Sequence, residues 1–109
     1  MLTPEDINGV VQSLVAKLDP ERIIVFGSYA KQMATPRSDL DIFVIQRTAL
    51  PMPLRTVNIQ PMLRNHLPRV DVHIYTPEET DQYATEDHSF VQTVLKTGYT
   101  AYERASFLH

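Results

Sequence analysis

Two short strings in this chain combine residue types suited to phosphate and metal chemistry. Gly27-Ser28 is followed, after ten residues, by Asp39-Leu40-Asp41. If the second string is a strand, side chains alternate along it and Asp39 and Asp41 project from one face, ~7 Å apart. Two carboxylates held that way repel, and each resists ionising in a dry site unless a cation neutralises the pair. Oxygen-only ligands suit hard, strongly hydrated ions, Mg²⁺ or Mn²⁺. Gly27 has no Cβ, so a phosphate can approach its backbone closely. The Ser28 hydroxyl and the amides that follow can donate to phosphate oxygens, and Lys31 adds positive charge.

A third carboxylate lies further along. In Val70-Asp71-Val72-His73-Ile74-Tyr75 the alternation is strict: Val70, Val72 and Ile74 form an apolar side, and Asp71, His73 and Tyr75 point the other way. If this strand neighbours the one bearing Asp39 and Asp41, the three aspartates share a face. Such a cluster can hold two ions ~3.5–4 Å apart, activate an attacking oxygen and bind a triphosphate.

The elements that must position these residues are readable. Thr3 suits an N-cap, Pro4 the first helical position, and Glu5 and Asp6 the first turn. Ile7, Val10, Val11, Leu14, Val15 and Leu18 recur at helical spacing, and Asp19-Pro20 stops the helix. Arg22 to Phe26 is rich in β-branched residues without polar alternation, as in a strand covered on both faces. Asp39 to Ile45 reads as a second strand. Leu54, Val57, Met62, Leu63, His66 and Leu67 predict one helix between Pro51 and Leu67, broken at Pro61. Thr76 and Glu79 form a capping-box pattern, and Phe90, Val91, Val94 and Leu95 mark a last helix with Gly98 as a left-handed terminator. Tyr99 to Glu103 is either a short edge strand or tail. The expected architecture is α/β (α+β): a small mixed sheet flanked by helices, in a single domain over 1–109.

Composition narrows the class. The chain has 109 residues, 43% of them hydrophobic, enough for one modest core. The formal charge of −3 disfavours a nucleic-acid binder driven by electrostatics. With no cysteine there are no disulfides, thiolate zinc sites or cysteine nucleophiles. No apolar stretch approaches the roughly 20 residues of a membrane span, and the acidic start is unlike a signal peptide. A soluble cytoplasmic protein is expected.

The string Gly27-Ser28-Tyr29-Ala30-Lys31, then Ser38-Asp39-Leu40-Asp41, resembles the signature of the DNA polymerase beta-like nucleotidyltransferases, and within them the minimal nucleotidyltransferases (MNT) encoded beside HEPN-domain toxins. Asp71 in Val-Asp-Val matches that family's third carboxylate, and the resemblance runs from about Arg22 to Tyr75. It implies an antitoxin that transfers AMP from ATP to a tyrosine of a HEPN ribonuclease partner, in a hetero-oligomer. It further implies Asp39, Asp41 and Asp71 as catalytic metal ligands for two Mg²⁺, and Gly27, Ser28 and Lys31 at the triphosphate. The chain departs from the family at Lys31-Gln32, where the pattern reads Arg-Gly. Lysine keeps the charge but loses bidentate geometry, and Gln32 stands where a glycine serves a left-handed turn. Two rivals stay open: a small-molecule nucleotidyltransferase of the antibiotic-modifying kind, and a non-enzymatic antitoxin acting by occlusion.

Other conspicuous residues have plainer readings. His73 reads as a partly buried strand histidine, Tyr29 as packing over the Gly-Ser turn, and Ser38 as a loop residue placed to cap the turn into the second strand. Asp81, Glu86 and Asp87 form a solvated helical face. His66 and His88 receive no role. Tyr99, Tyr102, Phe107 and Leu108 are numerous for so small a core; they read as core or, for part of the region from Tyr99 to Leu108, as a partner surface.

Overall fold

The computed structural model describes residues 1–66 and 69–105. Helix α1, Pro4–Leu18, begins with a reciprocal capping box: the Thr3 hydroxyl accepts from the Asp6 amide and Asp6 accepts from the Thr3 amide. Val10, Val11 and Leu14 are its buried face. The helix ends at Asp19, which turns the chain with φ 49 before Pro20.

Strand β1, Arg22–Phe26, and β2, Leu40–Ile45, run antiparallel, with Arg22 opposite Ile45 and Phe26 opposite Asp41. Strand β3, Val70–Tyr75, lies parallel to β2 in the register Asp41 to Asp71. Tyr99–Glu103 is strand β4 and pairs antiparallel with β1, completing a mixed sheet of order β3-β2-β1-β4. Both faces of the two central strands are covered, as their unbroken apolar runs require. On one face Ile23, Val25, Leu40, Ile42, Val44, Val72 and Ile74 pack against α1. On the other, Ile24, Phe43 and Ile45 meet Val91 and Val94 of α4, Phe90–Thr97. Helix α3, Pro77–Ala84, opens with the capping box of Thr76 and Glu79. Among the described residues no helix is long and apolar enough to cross a membrane.

Two expectations are corrected. The segment from Pro51 is not one broken helix: it forms two single 3₁₀ turns, Met52–Leu54 and Val57–Ile59, and a short helix α2, Gln60–Leu63. Pro51, Pro53 and Pro61 withhold amides that a continuous helix needs. Ile59 and Leu63 enter the core while Leu54 and Val57 face outward; Leu67, expected on that stripe, lies outside the described residues. Gly98 is not left-handed (φ −84, ψ 172). A side chain there would instead collide, because a Cβ would sit 2.6 Å from Ile24 Cγ2 and 2.8 Å from the Val25 and Val94 carbonyl oxygens. Of the two readings of Tyr99 to Glu103, the edge strand is the one observed, as β4, and Tyr102 packs against the core. Phe107 and Leu108 lie outside the described residues.

Candidate active site

The site is built where β1 ends and β2 begins. Phe26, Asp41 and Asp71 are register partners on β1, β2 and β3, so they form one row across the sheet on the face that carries α4. Adjacent strands run about 4.8 Å apart, which sets Asp41 and Asp71 side by side. Asp39 stands one residue before β2, its carboxylate 3.6 Å from Arg69 Nε.

Gly27 leaves β1 with φ +72, a conformation that disfavours any side chain. Space forbids one too: a Cβ would lie 2.2 Å from Asp41 Oδ2. The glycine is therefore a cradle for the Asp41 carboxylate. The chain then makes one helical turn. The Lys31 amide donates to the Gly27 carbonyl, Met33 to Ser28 and Gln32 to Tyr29. The last two bonds are those of a Schellman closure, whose left-handed position is Gln32 with φ 57. The glutamine thus occupies the conformation for which glycine is suited. Among the described residues the amides of Ser28, Tyr29 and Ala30 and the Ser28 hydroxyl make no hydrogen bond, leaving four donors at the head of the turn. Lys31 is exposed beside them. Tyr29 packs on the main core rather than over the turn alone, and its hydroxyl accepts from the Leu2 amide at 3.0 Å, tying the turn to the start of α1. Ser38 closes the Thr35–Ser38 turn, its hydroxyl accepting from the Thr35 amide at 2.8 Å, which delivers the chain to Asp39.

Burial pushes the Asp41 carboxyl above its usual range, and the charges of Asp71 and Asp39 add to the effect. His73, with Nε2 3.3 Å from Asp71 Oδ2, opposes it. Among the described residues no three carboxylate or imidazole groups converge tightly enough to cage an ion by themselves. The donor set nevertheless fits Mg²⁺ or Mn²⁺: all-oxygen, mutually repelling and open to solvent. Mg²⁺ commonly takes one or two carboxylates and completes its shell with water and substrate phosphates.

Sequence reasoning did not place two neighbours of the carboxylate row. Arg69 pairs with Asp39 from just before β3, and Phe90 sits among Phe26, His73 and Tyr75 from the start of α4. No local pattern marks either, because both arrive by tertiary packing. A cavity of about 760 Å³, lined by Arg22, Ile45, Thr80 and Leu95 among others, lies at the opposite strand ends. The carboxylates stand instead at the end of the α4 face, where the Asp39 and Asp71 side chains are exposed.

A glycine turn at the end of one strand, with aspartates on the next two strands, is the layout of a nucleotidyltransferase domain. The chain belongs to the family described as "Polymerase beta, Nucleotidyltransferase", whose model matches residues 8–106. Among solved structures it is similar to a chain of a "Crystal structure of the toxin-antitoxin with AMP-PNP", with 22% identity and a TM-score of 0.59, over 89% of this chain and 73% of that one. At that identity the likeness concerns the fold. No curated protein matches the chain.

Proposed function

We propose that this protein is an antitoxin of the minimal nucleotidyltransferase type, which transfers AMP from ATP to a tyrosine of a HEPN ribonuclease partner. The observation that carries the reading is the pairing of Asp41 with Asp71 on an open sheet face, with the Gly27 turn packed under the Asp41 carboxylate. The fold likeness to a chain of a toxin-antitoxin structure with AMP-PNP supports it.

On this reading the free amides after Gly27, the Ser28 hydroxyl and Lys31 hold the triphosphate. Asp39 and Asp41 hold two Mg²⁺ (or Mn²⁺), with Asp71 completing the acceptor side. When bound, the ions neutralise phosphate charge and polarise the phosphoryl oxygens. The acceptor hydroxyl oxygen bonds to the α-phosphorus as the bond to the α–β bridging oxygen breaks. Pyrophosphate leaves, and the hydroxyl proton passes to the Asp71 carboxylate. The acceptor on this reading is a macromolecule, held beside Asp71 in a hetero-oligomer. The working compartment is the cytoplasm, with no membrane and no direct nucleic-acid contact.

The test is α-labelled ATP with Mg²⁺ and a co-purified partner. Label on a partner tyrosine, lost at least a hundredfold in Asp39→Ala/Asp41→Ala, is the expected result. Label on a small molecule, or a tight unlabelled complex, would replace the reading by a small-molecule enzyme or by occlusion. The double variant should fold normally, because it removes like charges.

A further inference from the structure

An exposed aromatic ring behind the carboxylate row, Phe90, has no part in the reading above. One residue pair behind that row, His73 leans toward it, with Nε2 3.3 Å from Asp71 Oδ2. Phe90 lies against His73 at 5.0 Å between ring centroids and meets Phe26 edge-on at 5.5 Å. Asp71, His73 and Phe90 are therefore contiguous. Yet Phe90 is 41% exposed, while its helix neighbours Val91 and Val94 are buried.

The ring is not on a fraying end. Ser89 caps α4, accepting from the Gln92 amide at 3.0 Å and donating to the Tyr83 carbonyl at 2.7 Å. His88 takes the left-handed φ of 63 and donates its amide to Gln92 Oε1. These hydrogen bonds hold the backbone that presents a partly exposed aromatic ring against His73, itself in contact with Asp71.

Direction assigns the ring a partner. In phosphoryl transfer the attacking and leaving oxygens lie roughly in line. With pyrophosphate on the Gly27-Ser28 side, the acceptor hydroxyl approaches from the Asp71 side, where His73 contacts Asp71 and packs against the Phe90 ring. We propose that the open face of Phe90, backed by His73, is the docking platform for the acceptor's aromatic side chain and selects tyrosine over serine or threonine hydroxyls. The inference rests on the protein-acceptor reading. Aromatic pairing of this kind corresponds to a roughly two- to tenfold preference.

The test uses Phe90→Leu, which keeps apolar packing on Phe26 and Phe43. N-acetyl-tyrosinamide and N-acetyl-serinamide are titrated by NMR into each protein with Mg²⁺ and an ATP analogue whose α–β bridge cannot be cleaved. The expected result is that tyrosinamide alone shifts the His73 and Phe90 ring signals. Its binding should weaken two- to tenfold in Phe90→Leu, the KM for the partner acceptor should rise by the same factor, and analogue affinity should hold. Equal response to both amides, an unchanged KM, or a loss of analogue affinity instead would overturn the inference; the last outcome would give the ring to the adenine. Failure of the unaltered protein to label any protein would overturn the underlying reading and this inference with it.

Discussion

Gln32 shows how one residue can depart from a pattern while the geometry persists. The Schellman closure of the Gly27 turn places it at φ 57, and the hydrogen bonds of that closure are intact. Left-handed backbone costs a side-chain-bearing residue roughly 1–2 kcal/mol, and glycine returns about half of that gain as chain entropy. Gln32→Gly should therefore raise stability by about 0.5–1 kcal/mol in thermal or denaturant melts. It should also tighten ATP binding, since the same turn presents the free amides of Ser28, Tyr29 and Ala30. Calorimetry showing higher stability with unchanged ATP affinity would make the departure functionally silent. At this scale much was legible: spacing and strand alternation suffice to align Asp41 with Asp71 once the strands are adjacent. The reason for Gly27 was only half legible. Close phosphate approach is a sequence-level argument, whereas the Asp41 carboxylate lying over its Cα is a tertiary fact.

Elements with local signals were read correctly, because a capping box such as Thr3 with Asp6 or Thr76 with Glu79 is complete within four residues. The crossover between β2 and β3 was not, because what holds it is distant. Arg55, only 7% exposed, makes a bidentate pair with Glu79 at 2.6 and 3.0 Å and donates to the Ile74 and Leu50 carbonyls. Nothing near Arg55 in sequence announces a partner in α3. The hydrogen bond from Arg55 holds the Glu79 carboxyl below its usual range, outweighing the opposing effect of burial. A lowered carboxylate contributes stability that is present above its unfolded value, about 4.3, and is lost as pH falls through the lower folded value. Glu79→Gln should therefore cost about 2 kcal/mol at pH 7, because it leaves the buried guanidinium unpaired. That difference from the unaltered protein should shrink as pH drops below about 4. A constant difference across that range would show that the pair's charge is not what holds the segment. Hydrogen exchange should localise the loosening to residues 48–60 and leave the Gly27 turn protected.

Seen whole, the molecule sets an acidic, open site on a chain of formal charge −3. Asp39, Asp41 and Asp71 repel an anionic triphosphate; against them stand Lys31 on the turn and Arg69, already paired with Asp39. The fold alone thus offers ATP hydrogen-bond donors in an unfavourable field. On the proposed reading a divalent ion reverses that field, so removing it should cost more than the loss of one ligand. Titration of an ATP analogue in EDTA should show affinity at least tenfold weaker than with Mg²⁺. Asp39→Ala/Asp41→Ala should narrow the gap from both directions, binding the metal complex less well and the free nucleotide better. Raising ionic strength should ease the metal-free repulsion, since a Debye length near 10 Å at 0.1 M already spans the carboxylate row. Equal affinity with and without metal would place the nucleotide away from these aspartates and leave their clustering on one face without a purpose.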